Sequence, residues 1–176
     1  MPTILETPRL TLRPLAAADA PAIQDYCSDW DVACRLARVP HPYPDDLAET
    51  FIARQALEAS GGMAHVFAID YAGRLAGVIG IEQRERGAWE LGYWLGKPWW
   101  GRGLATEAAQ RVTDFGLGEA GLSRLEARHH QDNLASGKVL AKCGFREFGR
   151  GPSHSLARGR AVPSVFVALD APGRVA

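Results

Sequence analysis

The segment that most constrains the fold of this chain is a strand followed by a glycine turn and then directly by a helix. Residues 89–95 read as a strand, Gly101 and Gly103 form the turn, and apolar residues then recur at helical spacing to about Glu119. Backbone N–H groups at a helix N-terminus have no intrahelical acceptor and carry the positive end of the helix dipole. Glycines let a ligand approach these groups closely. The segment therefore predicts a binding site for a phosphate or pyrophosphate.

Two well-known phosphate-binding motifs fit this turn poorly. A Walker A loop requires Gly-Lys-Ser/Thr, whereas Gly103 is followed by Leu-Ala-Thr. A dinucleotide-binding fingerprint requires a third glycine at the position where Thr106 stands. From these residues alone, a tight turn that binds nothing and a nucleotide-binding protein both stay open as alternatives.

Length and charge narrow the class of protein. The 176 residues suit one domain, residues 1–176, and 47% apolar with 23% charged residues is ordinary for a globular chain. Lys and Arg total 20, as do Asp and Glu, and this zero net charge argues against nucleic-acid binding, which needs a basic surplus. The first residues lack the pattern of a signal peptide, and no uncharged apolar stretch reaches the roughly 18 residues of a membrane span. We therefore expect a cytoplasmic protein without a membrane partner.

Strand and helix patterns predict a mixed sheet in an α/β (α+β) domain. Strands with hairpin-like turns precede the glycine turn, and a strand–helix–strand crossover follows it, so antiparallel and parallel pairs should both occur. A polar loop is expected over residues 150–163. The predicted strands are residues 9–13, 65–70, 75–81, 89–95, 125–129, 145–148 and 165–169, and the predicted helices begin at Asp19, at Asp45 or Asp46, at Gly103 and at Leu134.

Three segments resemble the GNAT superfamily of N-acetyltransferases. Gly101–Ala108 is similar to the acetyl-CoA pyrophosphate loop of these enzymes, and the preceding Gly92–Leu95 resembles their RimJ/RimL-like branch. Pro98 departs from the Gln or Arg that many members carry there, which removes one amide donor. The resemblance implies a single GNAT-like domain with a twisted, mostly antiparallel sheet of about six to seven strands and about four flanking helices. The other matching segments are Asn133–Ser136 followed by Lys142–Phe145, and the opening Thr7–Pro14.

The resemblance also implies where acetyl-CoA binds. Amides from about Trp100 to Ala105 would hold the pyrophosphate, and strand 89–95 would pair with the pantetheine arm as a further strand would. Asn133 would bond the cofactor near its thioester or cap the next helix, and the lysines of that helix would meet the outer phosphates or only solvent. No metal is expected, and the three cysteines form no CxxC pair. The residues expected to bind acetyl-CoA are Trp94, Leu95, Trp100, Gly101, Arg102, Gly103, Leu104, Ala105, Thr106, Asn133, Ser136, Lys138 and Lys142.

Acetyl transfer to an amine requires a neutral amine, a stabilised oxyanion and a departing thiolate that is protonated or solvated. Many GNAT enzymes use a tyrosine seven residues after the Asn for the thiolate, but Leu140 stands there. Ser136 is the expected catalytic substitute, unless it is only a small packing residue. Glu90 is the leading candidate for the base, unless it lies at the wet end of its strand. Glu82 and His65 are weaker alternatives for that role.

The predicted function is transfer of the acetyl group of acetyl-CoA to a primary amine, by direct attack through a tetrahedral intermediate. An α-amine has a pKa near 8, so roughly a tenth is already neutral at pH 7. The branch resemblance favours a protein or peptide N-terminus as the acceptor. Acetylation of an antibiotic, polyamine or amino acid and a non-catalytic acyl-CoA-binding domain are the alternatives, and a homodimer stays open.

Overall fold

The computed structural model describes residues 3–84 and 87–173 and contains one eight-stranded sheet with helices on both faces. Within these ranges, no helix is both long enough and apolar enough to cross a bilayer. The strands are β1 (Leu5–Glu6), β2 (Thr11–Arg13), β3 (Ala64–Tyr71), β4 (Arg74–Gln83), β5 (Trp89–Leu95), β6 (Arg124–His130), β7 (Arg146–Ser155) and β8 (Arg160–Asp170). The helices are α1 (Ala20–Ser28), α2 (Trp30–Ala33), α3 (Leu47–Ser60), α4 (Leu104–Asp114) and α5 (Leu134–Lys142).

The strands lie in the order β1-β2-β3-β4-β5-β6-β8-β7, and within the described part of the chain only the β5–β6 pair is parallel. α4 connects these two strands, because a parallel pair needs a crossover and cannot be joined by a tight turn. The predicted mixed, mostly antiparallel sheet is thus confirmed. The described residues form eight strands and five helices. The elements that the sequence did not predict are short, with two residues in β1 and four in α2. The helix predicted to about Glu119 is α-helical only to Asp114. The next residues, Phe115–Glu119, form a wider π-helical turn.

The polar loop expected over residues 150–163 is wrong, since most of this segment is strand. β7 and β8 form a hairpin whose partners run from Arg146↔Ala168 to Ser155↔Arg160. Polar residues are compatible with strand here because some of the hydroxyls turn inward and pair. Ser153 and Ser164 are buried with their Oγ atoms 2.6 Å apart, so the cost of burying each hydroxyl is offset by a hydrogen bond.

Apolar side chains fill both faces of the sheet. One core lies between the sheet and the α4–α5 side and contains Ile79, Leu91 and Val112. The other lies on the α1–α3 side and contains Val78, with Trp94 packed against it. Neighbouring residues of β4 and of β5 enter opposite cores because side chains alternate along a strand. Each strand therefore presents one set of side chains to each layer of helices.

β5 and β6 separate after a short stretch of pairing. Among the described residues they pair at Glu90↔Glu126 and Leu91↔Ala127. β5 then continues to Leu95 alongside β4, while β6 continues to its end alongside β8. Each strand is therefore held by its antiparallel neighbour while the parallel pair opens. The gap between them lies beside the C-terminal half of β5.

Candidate functional site

A cavity of about 630 Å³ occupies the gap between β5 and β6. The cavity is lined by β5, the glycine turn, the start of α5, residues 35–39, α3 and side chains of β4 and β6. The lining includes Tyr93, Trp94, Leu95, Trp100, Gly101, Gly103, Leu104, Ala105, Thr106, Asn133 and Ser136, together with the charged residues Arg38, Glu82, Glu90 and Arg128.

The glycine turn has the geometry that the sequence predicts. Gly101 and Gly103 have φ values of 74° and 78°, a left-handed conformation that glycine adopts without steric cost. α4 begins at Leu104, and its first helical bond runs from the Glu107 N–H to the Gly103 carbonyl at 3.1 Å. The amides of residues 104–106 come before that bond, so the helix itself offers them no acceptor. They lie at the positive end of the α4 dipole, at the edge of the cavity.

The N-terminal segment clamps this turn from outside. Glu107 accepts hydrogen bonds from the Thr7 hydroxyl at 2.6 Å, from the Arg9 amide at 3.0 Å and from Arg9 Nε at 2.6 Å. Arg9 Nη1 also donates to the Arg102 carbonyl inside the turn at 2.9 Å. Burial alone would raise the pKa of Glu107, but the Thr7 and Arg9 bonds outweigh it and hold the pKa below its ordinary value. The sequence of Thr7–Pro14 resembles a family pattern but gives no sign of this clamp.

Ser136 lies in the first turn of α5 and shares a pair of contacts with a tyrosine of β5. The Ser136 amide donates to Asn133 Oδ1 at 3.3 Å, so Asn133 caps the helix. The Tyr93 hydroxyl lies 2.9 Å from Ser136 Oγ and 3.1 Å from the Ser136 carbonyl oxygen. Leu140, which stands at the position of the family tyrosine, is buried in the core. Tyr93 is not among the site residues that the sequence predicts.

Two carboxylates lie side by side on the cavity wall. Glu82 and Glu90 are cross-strand partners on β4 and β5. Glu82 contacts Arg38 at 3.0 Å and Arg84 at 2.6 Å, while Glu90 Oε1 lies 3.7 Å from Arg84 Nε and 3.8 Å from Arg128 Nε. Burial alone would raise the pKa of Glu82, but the two guanidinium groups have the larger effect. The pKa therefore lies below its ordinary value, and the carboxylate stays ionised. Glu90 thus lies on the cavity wall and has looser ionic contacts than Glu82.

Several predicted residues lie apart from the cavity. Arg102 is exposed and its guanidinium stacks over the Trp99 ring at 5.3 Å. Lys138 and Lys142 are exposed on α5 and are not among the described residues that line the cavity. His65 stacks on Trp89 with ring centroids 5.9 Å apart, and it too is outside that lining. Contacts of Arg102 and the two lysines with the cofactor stay predictions.

Comparison with known proteins identifies the family. The profile of the acetyltransferase (GNAT) domain matches residues 9–146. The uncharacterized N-acetyltransferase p20 of Bacillus licheniformis is 31% identical over 169 residues, which are 94% of this chain and 94% of that protein. The ribosomal protein uS5-alanine N-acetyltransferase of Escherichia coli (strain K12) is 30% identical over 101 residues, 56% of this chain and 52% of that protein. Mycobacterium smegmatis RimJ, solved in complex with CoA-disulfide, shares the fold with a TM-score of 0.85 at 23% identity, covering 99% of this chain and 90% of that one. As the sequence resemblance implied, the chain belongs to the GNAT acetyltransferase family.

Proposed function

We propose that this GNAT enzyme transfers the acetyl group of acetyl-CoA to the α-amine of a protein or peptide N-terminus. The observation that carries the proposal is the continuous cavity from the glycine turn, along the open edge of β5, to the hydroxyl pair and the carboxylates. RimJ of M. smegmatis was solved in complex with CoA-disulfide, and the E. coli relative is named as a ribosomal protein uS5-alanine N-acetyltransferase. Both relatives support the cofactor and the acceptor class.

The cofactor half of the cavity suits an extended, anionic thioester. The pyrophosphate would accept from the amides of residues 104–106, with the Thr106 hydroxyl as a further donor. The pantetheine arm would pair with the backbone of β5 near Trp94 and Leu95, because these residues lie beyond the last β5–β6 partners. This arrangement would carry the thioester to Ser136, which lines the same cavity.

The acceptor half suits an amine. The charge of Glu82 is offset by Arg38 and Arg84, whereas Glu90 has only longer ionic contacts. Glu90 is therefore the proposed proton acceptor, either directly or through a water molecule. An α-amine with a pKa near 8 needs only a modest base, whereas a lysine amine near 10.4 needs a much stronger one. The neutral nitrogen then attacks the thioester carbon, and a β5 backbone N–H is the proposed donor to the tetrahedral oxyanion. Ser136 is the proposed partner of the departing sulfur.

Thiol release from acetyl-CoA tests the function with a matched pair of peptides. Both peptides carry an alanine N-terminus and an internal lysine, but one is N-terminally acetylated. We expect release with the free peptide and at least tenfold less with the blocked one, since only the α-amine is substantially neutral at pH 7. Equal rates would move the acceptor to the lysine side chain.

A panel of small amines in the same thiol-release assay distinguishes a small-molecule acceptor from a peptide acceptor. Release with polyamines, amino acids or aminoglycosides but not with peptides would reassign the acceptor. Calorimetry completes the design, because acetyl-CoA binding without thiol release to any amine would identify a non-catalytic acyl-CoA-binding domain. A chain that does not bind acetyl-CoA at all would refute the proposal at its first step.

A further inference from the structure

α5 lacks the tyrosine that many family members carry, and a tyrosine of β5 stands beside its first turn. Leu140 is 1% exposed and packs in the core, so its position offers no hydroxyl to the cavity. Tyr93 approaches from β5, lines the cavity, and brings a phenol to the first turn of α5. The two residues are 43 positions apart in the chain. A tyrosine hydroxyl therefore stands beside Ser136, although it comes from a strand and not from the helix.

The Tyr93 hydroxyl has one proton and two acceptors on the same residue. It lies 3.1 Å from the Ser136 carbonyl oxygen and 2.9 Å from Ser136 Oγ. When Tyr93 donates to the carbonyl, Ser136 can donate its own proton to the phenol oxygen. When Tyr93 donates to Ser136 Oγ, the serine proton must point elsewhere, and Ser136 borders the cavity. The direction of the serine hydroxyl is thus coupled to which of the two acceptors takes the phenol proton.

We propose that Tyr93 is a positioning residue that turns the Ser136 hydroxyl toward the sulfur of the departing CoA. The inference rests on the proposed function. The acceptor nitrogen bonds to the acetyl carbon and gives the tetrahedral oxyanion. As the carbonyl re-forms, the carbon–sulfur bond breaks and the sulfur keeps its electron pair. Ser136 donates a hydrogen bond to that thiolate, and Tyr93 donates to Ser136. The acceptor's proton leaves through the base, the thiolate later takes a proton from water, and no proton leaves Tyr93.

The surroundings of Tyr93 suit a donor that stays protonated. Burial raises the pKa of Tyr93 far above its ordinary value, the Ser136 bond lowers it in part, and the Cys143 thiol raises it again. The phenol therefore keeps its proton across the working pH range. A chain of two hydroxyls that ends on an anion is also mutually polarising, so that each bond strengthens the other.

The ionisation of bound CoA tests the inference without any acceptor. The ultraviolet absorbance of the thiolate is followed against pH for CoA bound to the wild type, Tyr93→Phe, Ser136→Ala and the double variant. Loss of either hydroxyl should raise the apparent pKa of the bound thiol by about one unit, or about tenfold, close to the low end for a hydrogen bond to a charged group. The double variant should resemble Ser136→Ala. Tyr71→Phe is the control, since Tyr71 is a half-buried β3 tyrosine outside the cavity lining of the described residues.

Kinetics separates positioning from a purely structural contact. Tyr93→Phe should lower kcat about tenfold and leave the acetyl-CoA KM within about twofold, because the bond to sulfur strengthens only as charge develops. In the Ser136→Ala background the same change should have less than a twofold effect, since Tyr93 acts through Ser136.

Two results would overturn the inference while leaving the proposed function intact. One is a bound thiol with the same pKa in Tyr93→Phe as in the wild type. The other is a double variant whose loss in kcat is the product of the two single losses. Absence of CoA binding by the wild type in calorimetry would refute the proposed function and the inference together.

Discussion

The role of the glycine turn can be tested by adding one charge without changing shape. Gly101 has a φ of 74°, and a Cβ built there meets no described atom within 4 Å. Asp and Asn have the same shape and are the non-glycine residues that best tolerate this conformation. Gly101→Asp and Gly101→Asn should therefore share the same backbone strain and the same steric effect. They differ in one negative charge at the proposed pyrophosphate site.

Coulomb's law gives the size of the expected difference. A carboxylate on residue 101 would lie about 6 Å from a phosphate bound at the adjacent amides, at an effective dielectric constant of about 40 for this half-exposed turn. The repulsion is then about 1.4 kcal/mol for each phosphate charge, or about tenfold in affinity. We expect Gly101→Asn to bind acetyl-CoA within about threefold of the wild type and Gly101→Asp to bind at least about tenfold more weakly than Gly101→Asn.

Calorimetry of acetyl-CoA at low salt and at 1 M salt provides the measurement. The difference between the Asp and Asn variants should shrink at high salt, since the Debye length falls to about 3 Å there. Circular dichroism of both variants controls for folding. Equal affinities of the two folded variants at low salt would show that the pyrophosphate does not lie at this turn, and the assigned cofactor path would be wrong.

Three further substitutions test the base, the clamp and the fold. Glu90→Gln should slow acetylation mainly at acidic and neutral pH, with the wild-type to variant rate ratio shrinking between roughly pH 6.5 and 9.5 as neutral amine accumulates; a flat ratio would exclude Glu90 as the base. Glu107→Gln should weaken acetyl-CoA binding several-fold in calorimetry by loosening the Arg9 contacts, and unchanged affinity would make the clamp irrelevant to binding. Asp19→Asn should lower the free energy of unfolding by about 2–3 kcal/mol in urea titrations, because the buried Asp19 carboxylate accepts two bonds from Arg13. Burial raises the pKa of Asp19, but the Arg13 and Ala16 bonds bring it below its ordinary value, so its stabilisation is full above pH of about 4 and is lost as pH falls through the folded pKa. The variant should lack that acid-dependent loss.

The parts of the site that the sequence predicted are those encoded locally. The glycine turn and the start of α4 could be predicted because two glycines and apolar residues at helical spacing are adjacent in the chain. Asn133 could be read as a helix cap because the amide it binds belongs to Ser136, three residues later. Such contacts depend on a few neighbouring backbone angles, and these carry strong residue preferences.

The parts that the sequence did not predict depend on contacts across the sheet. Strand alternation puts Tyr93 on the face opposite to Glu90 and Trp94, but nothing near Tyr93 in the chain specifies that it meets Ser136. The β7–β8 hairpin could not be predicted for a similar reason. Its serines suggest an exposed loop, because the sequence does not show that Ser153 and Ser164 form a hydrogen bond to each other and can therefore be buried. The clamp of Glu107 by Arg9 joins residues 98 positions apart. A helix glutamate and an exposed arginine give no local sign of such a contact.

The parallel pair would bring the proposed cofactor path and the proposed catalytic hydroxyl together in one cavity. β5 and β6 run in the same direction, and each is followed by a helix, α4 after β5 and α5 after β6. The N-termini of both helices therefore lie at the same edge of the sheet, with their positive dipole ends toward the gap between the strands. At the α4 end this field favours a pyrophosphate, and at the α5 end it favours a thiolate beside Ser136. A substitution that removes the Asn133 cap from the N-terminus of α5 should therefore change the pKa of the bound CoA thiol more than it changes the affinity for CoA.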